Sequence, residues 1–153
     1  MKRYIILILI VLLGVGADML TKQFLMEKSV IIEGILSFYP TMNTGGGWSI
    51  FSDATLFLTI FSAVAVIGII VLNFFFKPKS WVWIISMGLI LAGAIGNLID
   101  RIAFGAVRDF IKFDFINFPI FNVADMCLCF GAILLAVYLI FIHKTEEKTK
   151  NEA

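Results

Sequence analysis

The chain has 153 residues, of which 61% are hydrophobic and only 15% are charged. Its mean hydropathy of +1.02 is far above that of a soluble globular domain, so the composition predicts an integral membrane protein. The net charge is +1, and the sequence has no basic aromatic patch and no phosphate-binding glycine loop. Nucleic acid is therefore excluded as an expected partner.

Four apolar blocks account for most of the chain. Each is about as long as a helix must be to cross a bilayer, roughly 20 residues. They cover residues 4–20, 54–76, 81–98 and 121–142. Because they leave no room for a second domain, we expect a single membrane domain over residues 1–153.

Positively charged residues predict the orientation of these helices. Seven of the twelve lie at the start of the chain, between the second and third blocks and in a charged tail at 144–153, and the other five are interleaved with acidic residues on the opposite side. Cytoplasmic loops are enriched in Lys and Arg, so both termini are expected in the cytoplasm. The first block, preceded by Lys2 and Arg3, also fits a cleaved signal peptide. We interpret it as a membrane helix because it continues into Asp18 and Lys22.

The segment 29–51 differs from the other connections. It is rich in Ile, Phe, Tyr and Trp, and it contains Pro40 and the run Gly45-Gly46-Gly47. This composition favours short strands and a tight loop, which predicts a small β element on the outer membrane surface. The glycines beside Asn43 suit close contact with an extended peptide, and a flexible turn explains them equally well.

Polar residues at the outer ends of two helices are spaced to share a helix face. Asp18 and Lys22 are four residues apart, and so are Asn97 and Arg101. A structural ion pair is the simpler explanation for Asp18 and Lys22, and organisation of an outer site is the other. Asp100 and Arg101 are expected to mark the membrane boundary and to hold a site through their neighbours.

Two aspartates flank the entrance to the last apolar block. Asp109 is expected in a loop after Gly105, and Asp125 follows Asn122. A carboxylate at the edge of a bilayer costs free energy unless it is compensated, so both are candidates for chemistry. A helix start explains Asp125 equally well, with Asn122 as N-cap and Asp125 at the third helical position. The two explanations are compatible because a helix N-terminus stabilises a carboxylate.

Other catalytic schemes have less support. The only histidine, His143, lies at the cytoplasmic end of the last block, which excludes a histidine-assisted nucleophile or a histidine zinc site on the outer surface. Ser49 or Ser52 paired with Lys22 would need no histidine, but nothing else marks either serine. An oxygen-ligand site for Ca²⁺ or Mg²⁺ remains open, although the acids lack the regular spacing of a known loop.

Taken together, these blocks resemble the bacterial lipoprotein signal peptidase (signal peptidase II) family. The matching residues occur in the family order over most of the chain: Asp18, Thr21-Lys22, Asn43, Gly45, Gly93-Ala94, Gly96-Asn97, Asp100-Arg101, Val107, Asp109-Phe110, Phe121-Asn122 and Ala124-Asp125. Any one block is a weak signal. The ordered set on this topology is highly specific.

The resemblance implies an aspartic endopeptidase that removes the signal peptide of prolipoproteins just before their diacylglyceryl-modified cysteine. It also implies an all-α integral membrane protein of the bacterial cytoplasmic membrane, with four transmembrane helices and a β-cradle and short helical arm on the extracytoplasmic surface. We expect a monomer that contacts membrane lipid and needs no metal or other cofactor. The family's catalytic pair falls on Asp109 and Asp125. Its supporting residues fall on Asp18, Lys22, Asn43, Gly45, Asn97, Asp100, Arg101 and Asn122.

The chain departs from the family pattern at two places. Gly45-Gly46-Gly47-Trp48 stands where many members have alanines and phenylalanine, and Arg108 stands where an aliphatic residue is usual. The first is expected to alter loop flexibility over the substrate. The second is expected to add a charge beside Asp109. Neither departure removes a family residue that carries chemistry.

The expected chemistry is that of a carboxyl pair sharing one proton, because two close carboxylates cannot both ionise cheaply. The ionised member takes a proton from the attacking water, and the protonated member supports the developing oxyanion. Asp125 is favoured as the initial base.

Two other classes of protein remain as alternatives. A small transporter or channel subunit would also place Asp18, Asn97, Asp100 and Asp125 in a polar path between helices. Such a path should continue across the bilayer, but the second helix is expected to offer only Ser and Thr, and the inner ends of the helices lack acidic residues. A purely structural membrane protein gives no reason to gather so many polar groups at one outer level.

Overall fold

The computed structural model describes residues 2–45, 55–76 and 80–142. Four α-helices span Lys2–Phe24 (α1), Thr55–Phe76 (α2), Trp81–Phe104 (α3) and Val123–Val137 (α4), and α4 continues as a π-helical turn over Tyr138–Ile142. All four, counting α4 with its π-helical turn, are long and apolar enough to cross a membrane. The prediction of four membrane helices is confirmed.

Two helices extend beyond the apolar blocks that predicted them. Helix α1 runs past residue 20 to Phe24, and α3 runs past residue 98 to Phe104. Hydropathy could not show these extra turns because they contain charged side chains, among them Lys22 and Asp100. Both side chains are fully buried, so the helices continue where their charges find partners.

Helix α3 lies at the centre of the bundle and packs against the other three helices. About 56% of its most apolar window is buried, compared with 6% for α1, none for α2 and 11% for α4. Small residues allow this close packing, as glycines commonly do between membrane helices. A Cβ at Gly93 would collide with the backbone of Ala124 in α4, and one at Gly14 in α1 would collide with Ala92.

A three-stranded antiparallel sheet lies at one end of the bundle. Its strands, in spatial order, are Ser29–Ile32 (β1), Leu36–Asn43 (β2) and Val107–Phe113 (β3). The expected β element is present within residues 29–43, and residues 46–51 of that expectation lie outside the described residues. No short helical arm occurs within 2–45, 55–76 or 80–142.

The third strand corrects one prediction, because Asp109 lies in β3 and not in a loop. Asp109 pairs with Thr41 of β2 across the sheet. Helix α3 is capped at its C-terminal end by Gly105, which has a left-handed backbone (φ 67°) and donates its N–H to the carbonyl of Arg101 at 3.0 Å. This glycine cap turns the chain directly into β3. Only Gly105 and Ala106 therefore separate the last residue of the helix from the first residue of the strand.

Asn73 in α2 corrects the expectation that this helix offers only Ser and Thr as polar side chains. Its side chain is buried, and its Oδ1 accepts a hydrogen bond from the indole Nε1 of Trp83 at 3.0 Å. Trp83 in turn meets Tyr138 edge to face, with ring centroids 5.3 Å apart. These contacts join α2, α3 and the π-helical turn at the end of the bundle away from the sheet.

Candidate active site

Asp109 is almost completely buried, with 2% of its surface exposed. Its Oδ2 accepts a hydrogen bond from Nδ2 of Asn43 at 2.9 Å, and its Oδ1 accepts one from Nδ2 of Asn122 at 2.6 Å. Burial and, after it, the negative charge of Asp125 raise the pKa of Asp109 to about 7, against the lowering effects of the two amide hydrogen bonds and of Lys22. The carboxyl group can therefore hold a proton near neutral pH.

Asp125 stands at the third position of α4 in a complete capping box. Its backbone N–H donates to Oδ1 of Asn122 at 2.9 Å, and its own Oδ2 accepts from the backbone N–H of Asn122 at 3.2 Å. The predicted helix start is confirmed. The other carboxyl oxygen of Asp125, Oδ1, accepts a hydrogen bond from Nδ2 of Asn97 at 2.8 Å. The start of α4 and the amide of Asn97 thus hold both oxygens of the Asp125 carboxyl group.

Asn122 connects the two aspartates. It is fully buried, and its amide oxygen caps α4 while its amide nitrogen donates to Asp109. The same nitrogen lies 3.1 Å from Oδ1 of Asn97 and 3.4 Å from the carbonyl of Arg108. Asn122 therefore ties the start of α4 to β3 and to α3.

A cluster of buried charges lies behind the aspartates. Nζ of Lys22, which is completely buried, lies 2.7 Å from Oδ2 of Asp18 and 3.1 Å from Oδ2 of Asp100, and it donates to Oδ1 of Asn97 at 3.2 Å. Oδ1 of Asp18 accepts from the backbone N–H of Ala124 at 2.9 Å. The predicted Asp18–Lys22 pair is confirmed, and it joins α1 to α3 and α4. Buried charges are tolerated when they are paired in this way.

Arg108 does not place its charge beside Asp109, which corrects the expectation. Its guanidinium pairs with Oδ1 of Asp100, at 2.8 Å from Nη2 and 3.2 Å from Nε, and its backbone N–H donates to Oδ2 at 2.9 Å. Successive side chains of a strand point to opposite faces, so neighbours on β3 reach different sites. Asp100 pairs with neighbouring residues, as expected, and its partners are Lys22 and Arg108.

A cavity of about 710 Å³ opens beside the aspartates. Six predicted site residues line it: Asn43, Gly45, Asn97, Arg101, Asp109 and Asp125. The other four, Asp18, Lys22, Asp100 and Asn122, lie behind this wall and contact it through the hydrogen bonds and ion pairs described above. Arg101 reaches from α3 to the carbonyl of Gly45 at 3.5 Å. Asn97 and Arg101 thus share a face, as their spacing predicts.

The rest of the cavity wall is mainly apolar and was not predicted. It includes Phe113, Phe118 and Phe121, whose rings contact one another at centroid distances of 5.2–6.0 Å. The sequence does contain a signal for this wall, because five of the twelve residues from 110 to 121 are phenylalanines. An apolar wall with a few convergent polar groups is typical of a site for an organic ligand.

The contacts of Lys22 bear on the serine alternative. Nζ of Lys22 is occupied by two carboxylates and an amide oxygen, which leaves it poorly placed to activate a serine. Ser49 and Ser52 lie outside the described residues. Within 2–45, 55–76 and 80–142, no three His, Cys, Asp or Glu side chains are grouped as metal ligands.

The sequence profile of the family described as Signal peptidase (SPase) II matches residues 9–141. The chain belongs to the signal peptidase II family. A lipoprotein signal peptidase of Enterococcus faecalis is 37% identical over 98% of this chain and 97% of its own length. One of Clostridium tetani is 39% identical over 87% of this chain and 91% of its own length.

Solved structures of bacterial membrane enzymes share the fold of this member of the signal peptidase II family. A structure described as a bacterial membrane enzyme superimposes with a TM-score of 0.83 at 29% identity, covering 96% of this chain and 91% of the other. A second, with the same description, has a TM-score of 0.80 at 30% identity and covers 89% and 93%. The chain is thus a multi-pass membrane protein of this enzyme family, and a transporter or channel is not favoured.

Proposed function

We propose that this signal peptidase II is an aspartic endopeptidase that cleaves diacylglyceryl-modified prolipoproteins just before the lipidated cysteine, using Asp109 and Asp125 as its catalytic pair. The observation that carries the proposal is the position of both carboxyl groups on one cavity wall, with the pKa of Asp109 raised to about 7. A buried acid that can hold a proton beside a second carboxyl group is an arrangement suited to acid–base hydrolysis.

The proton is assigned to Asp109 and the negative charge to Asp125. Asp109 is the more deeply buried of the two, and Asp125 lies at a helix N-terminus with donors on both oxygens. Ionised Asp125 takes a proton from a water molecule, whose oxygen attacks the scissile carbonyl carbon. Protonated Asp109 donates to the developing oxyanion. Collapse of the tetrahedral intermediate breaks the C–N bond, and the leaving amine receives a proton from the pair.

Amide side chains hold the pair in place. Asn43 and Asn122 each donate to one oxygen of Asp109, and Asn97 donates to Asp125. Arg101, which lines the cavity beside Gly45, is placed to hold a carbonyl group of a bound peptide. Such fixed donors reduce the reorganisation needed to reach the transition state.

The cavity suits a substrate that is part peptide and part lipid. Its polar wall faces the scissile bond, and its aromatic wall with Phe113 and Phe118 accommodates apolar groups. A lipidated cysteine would enter laterally while its acyl chains remain in the bilayer, which contributes to recognition. In this proposal the chain acts as a single-domain monomer in the bacterial cytoplasmic membrane, with its termini in the cytoplasm and its site on the extracytoplasmic side.

The test is cleavage of a diacylglyceryl-modified lipopeptide by the purified protein in lipid bicelles. Asp109→Asn and Asp125→Asn should each lower kcat by roughly 10²–10⁴-fold, the usual range for a general acid or base. Asp114→Asn is the matched control, because Asp114 follows the same strand and pairs with Lys112 outside the cavity. Full activity in either test variant would refute the pair. Loss of activity in Ser49→Ala alone, or chelation that added metal reverses, would favour a serine or metal mechanism instead.

A further inference from the structure

Arg108 reaches from β3 to Asp100 in α3 and contacts its carboxylate through several atoms. Three of its nitrogens donate to the Asp100 carboxylate: the backbone N, Nε and Nη2. The guanidinium carbon also lies 4.6 Å from the centre of the Phe104 ring, and Nη2 lies 3.9 Å from Sδ of Met19. Only 14% of the Arg108 side chain is exposed. A planar guanidinium suits this multiple contact better than an ammonium group does.

The charges of the buried cluster balance only when Arg108 is counted. Asp18 and Asp100 contribute two negative charges and Lys22 one positive charge, and all three side chains are buried to at least 99%. Arg108 supplies the second positive charge, which brings the cluster to neutrality. Asp100 therefore has two cationic partners, Lys22 and Arg108.

A continuous set of contacts joins this cluster to the cavity wall. Lys22 donates to Oδ1 of Asn97, whose Nδ2 donates to Asp125. On the other side, Arg108 immediately precedes Asp109 on β3, and its carbonyl accepts from Asn122. Arg108 does not line the cavity. It nevertheless contacts Asn122, which holds both carboxyl groups, and it reaches Asn97 through Asp100 and Lys22.

We propose that Arg108 is a positioning residue for the peptidase: it fixes β3 against α3 through Asp100, and it neutralises the cluster that orients Asn97 against Asp125. This inference rests on the proposed function of the Asp109–Asp125 pair. It assigns to Arg108 an electrostatic effect on the pair in addition to a packing contribution. The two effects are separable because charge alters a pH profile, whereas loose packing lowers activity at every pH.

The charged groups around the pair define the expected sign. From α1 they are Asp18 and Lys22, from α3 Asp100 and Arg101, from β3 Arg108, and from α4 Asp125 itself. Replacing Arg108 with an uncharged residue leaves the cluster with one net negative charge. That charge disfavours ionisation of the nearby Asp109, so its pKa should rise further and the pH profile should move to higher pH.

The experiment compares kcat/KM against pH for the full-length enzyme and four variants in lipid bicelles, using the lipopeptide assay. Arg108→Met should shift the profile to higher pH by roughly half a unit or more and lower the maximum. Arg108→Lys restores the charge and should restore the profile. Lys112→Met removes a cation from the same strand that pairs with Asp114 instead, and should leave the profile in place.

A charge-compensating double variant gives the sharpest test. Arg108→Met combined with Asp100→Asn returns the cluster to neutrality, and its profile should move back towards that of the unaltered enzyme even if its maximum stays low. An unshifted profile in Arg108→Met, or an equal shift in Lys112→Met, would overturn the proposal. If Arg108→Met does not fold, Arg108→Gln replaces it in the same comparison with Arg108→Lys. The Asp109→Asn variant distinguishes the two proposals. Full activity in that variant would refute the proposed catalytic pair, whereas an unshifted Arg108→Met profile would refute only the role of Arg108.

Discussion

Nδ2 of Asn122 lies 2.6 Å from Oδ1 of Asp109, although the two residues belong to different elements 13 positions apart. The other end of the same amide caps the helix that carries Asp125. One side chain therefore determines both where α4 begins and how the two carboxyl groups face each other.

These two roles of Asn122 can be separated by substitution. Serine at position 122 retains an N-cap acceptor but cannot reach Asp109, whereas alanine provides neither contact. Asn122→Ala should be less stable than Asn122→Ser by about 1 kcal/mol, the usual contribution of an N-cap. Both variants should lose roughly 10–100-fold in kcat through misplacement of the pair. Thermal unfolding in bicelles and the lipopeptide assay measure the two effects. Full activity in Asn122→Ser would show that the bridge to Asp109 is dispensable.

Activity should fall as pH rises through about 7. Asp109 has its pKa raised to about 7 by burial and by the charge of Asp125, and it is the protonated form that donates to the oxyanion. Above that pH, kcat/KM should decrease about tenfold per pH unit as the proton is lost. The same shift makes the folded state bind more protons than the unfolded chain between about pH 4 and 7, so stability should also decline as pH rises across that window.

Substitution of Asn43 should change the pH at which activity falls on the alkaline side of the profile, which is its alkaline limb. Its N–H stabilises ionised Asp109, and this hydrogen bond lowers the pKa of Asp109. Asn43→Ala should therefore shift the alkaline limb to higher pH. Asn117→Ala, at an exposed position between β3 and α4, should leave it unchanged. A shift to lower pH in Asn43→Ala would contradict the assigned direction of this hydrogen bond.

Gly96 is required by the position of Asp18. A Cβ at Gly96 would lie 2.6 Å from Oδ2 of Asp18 and 3.1 Å from Cβ of Ala124. Because Asp18 is held by both Lys22 and Ala124, Gly96→Ala should destabilise the protein by about 1–3 kcal/mol, as overpacking usually does. Gly68→Ala is the matched control, since nothing lies within 4 Å of its added methyl group. Unfolding midpoints that are equal in the two variants would argue against a tight Asp18 site.

Lys22 should be the most sensitive charge in the cluster. Lys22→Met leaves Asp18 without its cation and Asp100 with only Arg108. Breaking a buried ion pair from one side usually costs about 3–5 kcal/mol, and we expect destabilisation of that size. Lys28→Met is the comparison, because Lys28 is exposed and contacts only the face of the Tyr39 ring among the described residues. Its unfolding midpoint should change little.

Local sequence patterns predicted the parts of this molecule that depend on near neighbours. Apolar block length predicted four membrane helices, the spacing of four predicted the Asp18–Lys22 pair, and the spacing of three predicted the capping box of Asn122 and Asp125. In each case the deciding contacts lie within one or two helical turns, where sequence distance and spatial distance correspond.

Contacts between distant segments could not be predicted in this way. Asn43 and Asp109 are 66 positions apart, and the pairing of β2 with β3 depends on how α3 returns the chain to the sheet. Strand β3 also carries charges at three of its seven positions, which concealed its strand character. The partner of Arg108 was missed for a related reason, because Asp100 is buried inside a helix end that hydropathy had placed beyond the membrane block.

The small buried fraction of α1, α2 and α4 has a consequence for how the bundle is specified. An apolar side chain facing lipid gains little by turning towards another helix, so apolar contacts alone leave the rotation of a membrane helix about its own axis weakly determined. In α1 and α4, the polar layer at the sheet end supplies that determination: Asp18, Lys22 and Asn122 have partners in only one orientation. The residues proposed to perform and support hydrolysis therefore also fix the rotation of α1 and α4 about their own axes. A substitution in this polar layer would affect both the site and the packing of the helices.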